Sequence, residues 1–234
     1  MSMLGTEDIK DYKTTARQLF AEFLGTSLYL SISLLAETNI GKTVVGSSLA
    51  NGLLIASVIQ IIGHVSGGHI NPAVTIGVLT CGHMTVIKAI LYIIAQILGS
   101  LLGSAVAYSV TDDNLRNGLG ATVPYFNLRA DQVLGLEFIM TFILVAVVLS
   151  VMDKSAKGLG SGPLAIGLSV TACQSSAILY TGSLNPVRSF GPAVIMNIWI
   201  HHWVYWVGPI LGGITAGVIY RFIFTIVRER NTSD

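Results

Sequence analysis

Two Asn-Pro pairs, one arginine and two acidic residues are the chemically capable groups of this 234-residue chain. Asn71, Pro72 and Ala73 lie in GGHINPAVT (67–75). Asn185, Pro186 and Val187 lie in GSLNPVRSF (182–190), with Arg188 directly behind. Glu22 and Glu137 sit inside apolar stretches, AEFLGT and LEFIMT. Asn before Pro reads as a helix start: the Asn side chain caps, and Pro takes the first turn, where its missing N–H costs nothing. Side-chain amides, helix N-termini and a guanidinium all donate hydrogen bonds and carry positive potential. That chemistry holds and orients a polar molecule and needs no covalent step. With no covalent step to perform, no cofactor is expected, and Cys81 and Cys173 show neither metal-ligand spacing nor a disulfide framework.

The elements that must position these groups are membrane spans. The chain is 52% hydrophobic and only 11% charged, with a mean hydropathy of +0.71, whereas a soluble domain carries about 25% charged residues. Apolar stretches of spanning length recur, and the pattern predicts six spans, at roughly 17–36, 46–63, 85–108, 131–151, 163–180 and 202–226. The first 16 residues are polar and charged, unlike a cleavable signal. A net charge of +1 gives no reason to expect a nucleic-acid partner.

The spans repeat. Glu, Phe and Thr of AEFLGT (21–26) recur in LEFIMT (136–141) at an offset of 115, and Gly52-Leu53 recurs in Gly167-Leu168 at the same offset. The Asn-Pro pairs recur at 114, and YIIAQILGS (92–100) resembles YWVGPILGG (205–213) at 113. One transmembrane domain over 1–234 is therefore expected to consist of two halves, about 17–108 and about 131–226. Three spans per half invert the second half relative to the first, with a functional site between them near the midplane. NPAVTIGVL and NPVRSFGPAV are too short to span, so each predicts a re-entrant half-helix. Such backbone is tolerated only when it is buried in protein or lines a watery cavity. Inversion points the two positive N-terminal ends at each other, with Asn71 and Asn185 at a donor-rich waist. The expected fold is an all-α membrane protein of six transmembrane helices and two re-entrant half-helices.

SGGHINPAVT, AEFLGT, YIIAQILGS, GPLAIGLSV, YTGSLNPVRSFGPAV and HHWVYWVGP resemble the aquaporin (major intrinsic protein) family, in order and over nearly the whole chain. The resemblance implies a passive channel with one pore per subunit, usually a homotetramer, and no enzyme activity. It implies that Asn71 and Asn185 are the pore asparagines and Arg188 the filter arginine. Ser189, Ala193, Tyr205 and Trp206 follow the water-type pattern, whereas glycerol facilitators usually carry Asp at the place of Ser189. Water in single file would accept from both asparagines, turning its hydrogens outward and breaking a proton wire, while the dipole ends and Arg188 repel cations.

Two departures stand out. The second motif ends in Val187 rather than Ala, a small packing adjustment. The filter positions that hold Phe and His in water-selective relatives fall on Asn51 and Gln174, with Cys173 as the alternative to Gln174, and the small filter position falls on Ser183 or Gly182. A wider, more polar opening is expected, passing glycerol or urea besides water; Asn51 and Gln174 bonding across the pore would close it instead. Glu22 and Glu137 are expected to accept backbone N–H bonds from the re-entrant loops rather than carry protons. His69 is expected at the pore, His64 as a loop-packing residue, and His201 and His202 at the membrane interface. The connection 109–130 shows no readable motif.

Lys10, Lys13, Arg17, Lys88, Lys154, Lys157, Arg221, Arg228 and Arg230 fall on one side of a six-span topology, against Lys42, Arg116 and Arg129 on the other. This predicts a cell-membrane protein with both termini cytoplasmic, and the sequon at Asn231 unused. An ion-coupled transporter is the alternative of a different class; it would need acidic coupling groups at the waist. A junctional protein would call on longer tails.

Overall fold

The computed structural model describes residues 4–38, 42–125, 128–153, 155, 160–177 and 181–225. Every regular element among them is helical: α1 (Thr6–Lys10), α2 (Tyr12–Thr38), α3 (Val44–Ser66), α4 (Pro72–Cys81), α5 (Val86–Val110), α6 (Ala130–Met152), α7 (Gly162–Ala177), α8 (Pro186–Met196) and α9 (Val204–Ile219). Five helices are long and apolar enough to cross a bilayer: α2, α3, α5, α6 and α9 with its last turn. The described part of α7 has 16 residues, and the last three residues of that expected span, 178–180, lie outside the described residues. So do Lys154, Lys157, Arg228, Arg230 and the sequon.

Some boundaries depart from the expected ones. α2 starts at Tyr12, earlier than 17. α9 starts at Val204 and ends in a π turn, Tyr220–Phe224, instead of continuing as α-helix. α1 was not expected; it lies against the start of α5, where Ile87 N donates to Leu4 O at 3.2 Å and Thr85 Oγ1 to Asp8 Oδ2 at 2.5 Å. Thr43 and Thr85 cap α3 and α5 by accepting from Gly46 N and Lys88 N, as short hydroxyl side chains do at a helix start.

The packing is the same when the halves are exchanged. α2 lies along α5, and α6 lies along α9. α3 crosses α7 between the halves. α4 packs on α9 and α8 on α5, so each half-helix rests on the last long helix of the other half. The crossings depend on missing side chains. A Cβ on Gly52 would strike the Gly167 carbonyl oxygen, and one on Gly167 would strike that of Gly52. Gly99 meets the Phe23 carbonyl, as Gly212 meets that of Phe138. Small residues that let backbones approach are the usual means of packing helices in lipid, where apolar burial gives no drive. Gly99→Ala is accordingly expected to lower stability by about 1–3 kcal/mol, the usual range for overpacking. Thermal unfolding in detergent reads this, and an unchanged midpoint would show that α2 and α5 slide apart freely. The outward faces are apolar, with Ile61, Leu98 and Ile139 exposed, as a lipid-facing surface requires.

Candidate functional site

The half-helices meet at their N-termini. Asn71 and Asn185 take extended backbone angles and cap α4 and α8, their Oδ1 atoms accepting from Ala73 N at 2.8 Å and Val187 N at 3.1 Å. Pro72 and Pro186 occupy the first turn of each. Each amide also reaches across to the other half: Asn71 Nδ2 donates to Leu184 O and Asn185 Nδ2 to Ile70 O, both at 2.9 Å. An amide NH2 has two hydrogens. One on each asparagine is spent on the opposite loop, which leaves the second for the cavity that both residues line.

The residues before the asparagines are held in an unfavourable conformation. Ile70 has φ 44° and Leu184 φ 53°, the left-handed region that costs a branched side chain most. Their N–H groups are fixed by the two buried acids. Glu22 Oε2 accepts from Ile70 N at 2.7 Å and from Gln96 Nε2 at 2.9 Å; its Oε1 accepts from His69 N at 2.9 Å and Ser66 Oγ at 2.7 Å. Glu137 accepts from Leu184 N and Ser183 N, both at 2.8 Å, and from the Thr181 hydroxyl. The two loops are thus strained alike and clamped alike.

A line of three cavities runs through this arrangement. The waist cavity, about 30 Å³, has an apolar wall that includes Ile55, Leu144 and Val170 and a polar wall that includes Gly68, His69 and both asparagines. On the side of the α3 C-terminus it opens, through shared walls at Ile59, Gly67, Val148 and Ile166, to a cavity of about 630 Å³ beside His64. On the other side, beyond Ser183, lies a vestibule of about 440 Å³ lined by Arg188, Gln174, Gly182, Thr181, Thr122 and Glu37. Arg188 stands on the first turn of α8, and the 117–122 connection holds it: Nη1 donates to Gly120 O at 2.5 Å and to Thr122 Oγ1 at 3.1 Å.

The family model "Major intrinsic protein" matches residues 9–220. The chain belongs to the major intrinsic protein family. Aquaporin-4 of Mus musculus is 44% identical over 213 residues, a match covering 87% of this chain and 66% of that one; this chain spans about two thirds of that relative's length. Lens fiber major intrinsic protein of Lithobates pipiens is 42% identical over 223 residues, covering 93% of this chain and 84% of the relative. Among solved structures, the aquaglyceroporin from Plasmodium falciparum superposes with a TM-score of 0.80 at 24% identity, covering 90% of this chain and 97% of that one. That likeness bears on the fold.

In this major intrinsic protein the positions read as the filter divide. Gln174 reaches the vestibule, and its Nε2 donates to Gly182 O at 2.9 Å. Cys173 points instead toward α6, with Sγ 3.7 Å from Met140 O. Gly182 lines the vestibule, while Ser183 faces the waist and bonds Asn185 O and Ser189 Oγ. Val187 is wholly buried, as is Ala73. His69 lines the waist with Nδ1 3.2 Å from Thr75 Oγ1. His64 lines the cavity at the opposite mouth. His202 accepts from Trp206 Nε1 at 3.2 Å in a cluster with Phe190 and Trp199.

Asn51 is the correction. It was expected to open the filter by facing it, but it is fully buried, accepting from Ser33 Oγ at 2.6 Å and donating to Glu37 Oε1 at 3.3 Å. The side chain that reaches the vestibule here is Glu37, which lies 3.8 Å from Arg188 Nη2. Sequence reading missed both Glu37 and Thr122. Glu37 ends an apolar span next to polar residues, where an acid attracts no attention. Thr122 sits in a connection without motif. The one available signal was Asn51 itself, a buried amide in want of a partner.

Proposed function

We propose that this chain is a passive transmembrane channel for water that also passes small neutral solutes such as glycerol or urea, and that it is not an enzyme. The observation that carries the reading is the waist: two asparagine amides, each with a hydrogen left for the cavity, at the facing N-termini of two half-helices. A water there accepts from both sides and turns its own hydrogens away from the waist, so protons cannot hop through it. The facing dipole ends and Arg188 oppose cations. The apolar wall binds water weakly and lets it leave. The names of the aquaporin relatives support water as a solute.

The transporter alternative loses its coupling groups. Glu22 and Glu137 are fully buried, with their oxygens occupied by donors from the re-entrant loops. The apolar outer faces and family membership support a site in the cell membrane, with both termini cytoplasmic by the distribution of Lys and Arg. A homotetramer with one pore per subunit is the assembly proposed.

Purified protein in proteoliposomes, followed by stopped-flow light scattering, tests the reading. Osmotic water permeability should rise about tenfold or more over empty vesicles without proton or potassium leak, as single-file exclusion requires. Vesicles no more permeable than empty ones would overturn it.

A further inference from the structure

We infer that Glu37 is a specificity-determining residue of this channel, that Asn51 is its positioning residue, and that together with Arg188 they favour solutes of the urea or carboxamide type over polyols. This rests on the channel reading above and deepens it.

The hydrogen-bonding inventory of the vestibule floor is uneven. Arg188 spends Nη1 on Gly120 O and Thr122 Oγ1. Its Nε is buried without a partner among the described residues. Nη2 lies 3.8 Å from Glu37 Oε1, close enough to attract but too far for a hydrogen bond. Nε and Nη2 form the side-on fork of a guanidinium, two parallel donors suited to planar acceptors. Nε offers no surface to a solute, so Nη2 is the donor left for a third party. Two acceptors stand on residues of the same vestibule, and the one that a solute can reach belongs to Glu37. Gln174 Oε1 is buried and unpartnered among the described residues, since that amide bonds only through Nε2. The Glu37 carboxylate takes one amide hydrogen from Asn51 and lies 3.8 Å from Lys42 Nζ.

Glu37 is held in place. Its side chain is only 12% exposed. The chain Ser33 Oγ to Asn51 Oδ1, then Asn51 Nδ2 to Glu37 Oε1, fixes the carboxylate against α3. Lys42 Nζ bonds the Glu37 backbone carbonyl at 2.7 Å and closes the other side. An asparagine where a ring was expected thus acts through the acid it holds.

One donor, Arg188 Nη2, and one acceptor, the Glu37 carboxylate, 3.8 Å apart, match one planar molecule: a carbonyl oxygen for the guanidinium and a neighbouring N–H group for the carboxylate. Urea and small carboxamides have that pattern. A polyol hydroxyl serves any of these positions with a single weaker bond. The carboxylate also offsets the Arg188 charge in the vestibule, so a neutral solute meets less fixed potential there, and a free anion is repelled from Nη2.

The test is uptake of urea, acetamide and glycerol by proteoliposomes, each normalised to the water flux of the same vesicles. Wild-type protein should take up urea and acetamide faster than glycerol. Glu37→Gln should lower the urea-to-glycerol ratio about fivefold, because a neutral acceptor bonds N–H roughly half as strongly as a carboxylate. Asn51→Ala should lower the same ratio by leaving Glu37 unsupported, and Glu37→Asp should restore part of it. A structural role alone would change stability and all fluxes together and leave the ratio where it was. An unchanged ratio in Glu37→Gln, or a wild type that passes water and excludes both urea and glycerol, overturns the inference and leaves the water channel standing. A wild type that moves no water overturns both.

Discussion

Asn185→Asp should turn a cation-excluding waist into a cation-leaking one, while Ser189→Ala should not. In the native protein Asn185 Nδ2 donates to Ile70 O, and the cavity beyond sees an amide hydrogen and two converging helix N-termini. A carboxylate has no hydrogen to give. It sets an oxygen against the Ile70 carbonyl and places a full negative charge where each dipole end contributes roughly +0.5. A monovalent cation about 4 Å away gains on the order of 4 kcal/mol at the effective dielectric of a protein surface, so a rise in potassium leak of at least about tenfold is expected. Ser189 bonds Thr122 Oγ1 at 2.8 Å and Ser183 Oγ at 2.7 Å. Its loss loosens the frame around Arg188 but adds no charge. Potassium-loaded proteoliposomes with a potential-sensitive dye compare the two variants directly. Equal leak from both would mean that the waist is not where charge is discriminated.

Glu22→Ala should prevent the first re-entrant loop from forming, with loss of both stability and water permeability. The substitution strips acceptors from His69 N and Ile70 N, two buried backbone donors. Leaving a buried donor unpaired costs about 1–3 kcal/mol, so the pair costs about 2–6 kcal/mol. Ile70 also sits at φ 44°, a conformation that persists only while its surroundings impose it. Glu137→Ala should have the same effect on the second loop through Ser183 N and Leu184 N. Glu22→Gln is the graded control, since its amide keeps one acceptor oxygen and turns a donor toward the remaining N–H. Thermal unfolding in detergent and stopped-flow permeability read both consequences. A Glu22→Ala protein with wild-type midpoint and permeability would show that other groups hold the loop.

The architecture was legible in the sequence because its signals are periodic and local. Apolar stretches of bilayer length, the offsets of 113 to 115 and Asn-Pro as a capped helix start each follow from chain geometry and from the ban on unpaired backbone in lipid. They placed the spans, the half-helices and the two acids. Boundaries were less legible. α1 lies against α5 through Leu4 and Asp8, contacts that no local pattern announces.

The filter shows where such reading ends. Aligning motifs put Asn51 and Gln174 at the filter, and of the two Gln174 lines the vestibule. Sequence position gives a residue's place along a helix, and the direction of its side chain follows from which partner it finds. Asn51 found Ser33 and Glu37, 18 and 14 positions away; Arg188 found Gly120 and Thr122, 68 and 66 positions away. The sequence alone determined a membrane-spanning inverted pair with two asparagines at its centre, since burial and capping act within one helix or one repeat. Only the tertiary structure decided that Glu37 stands beside Arg188 and that Asn51 stands behind it, because a buried amide takes whichever acceptor the packing of α2 against α3 brings within reach.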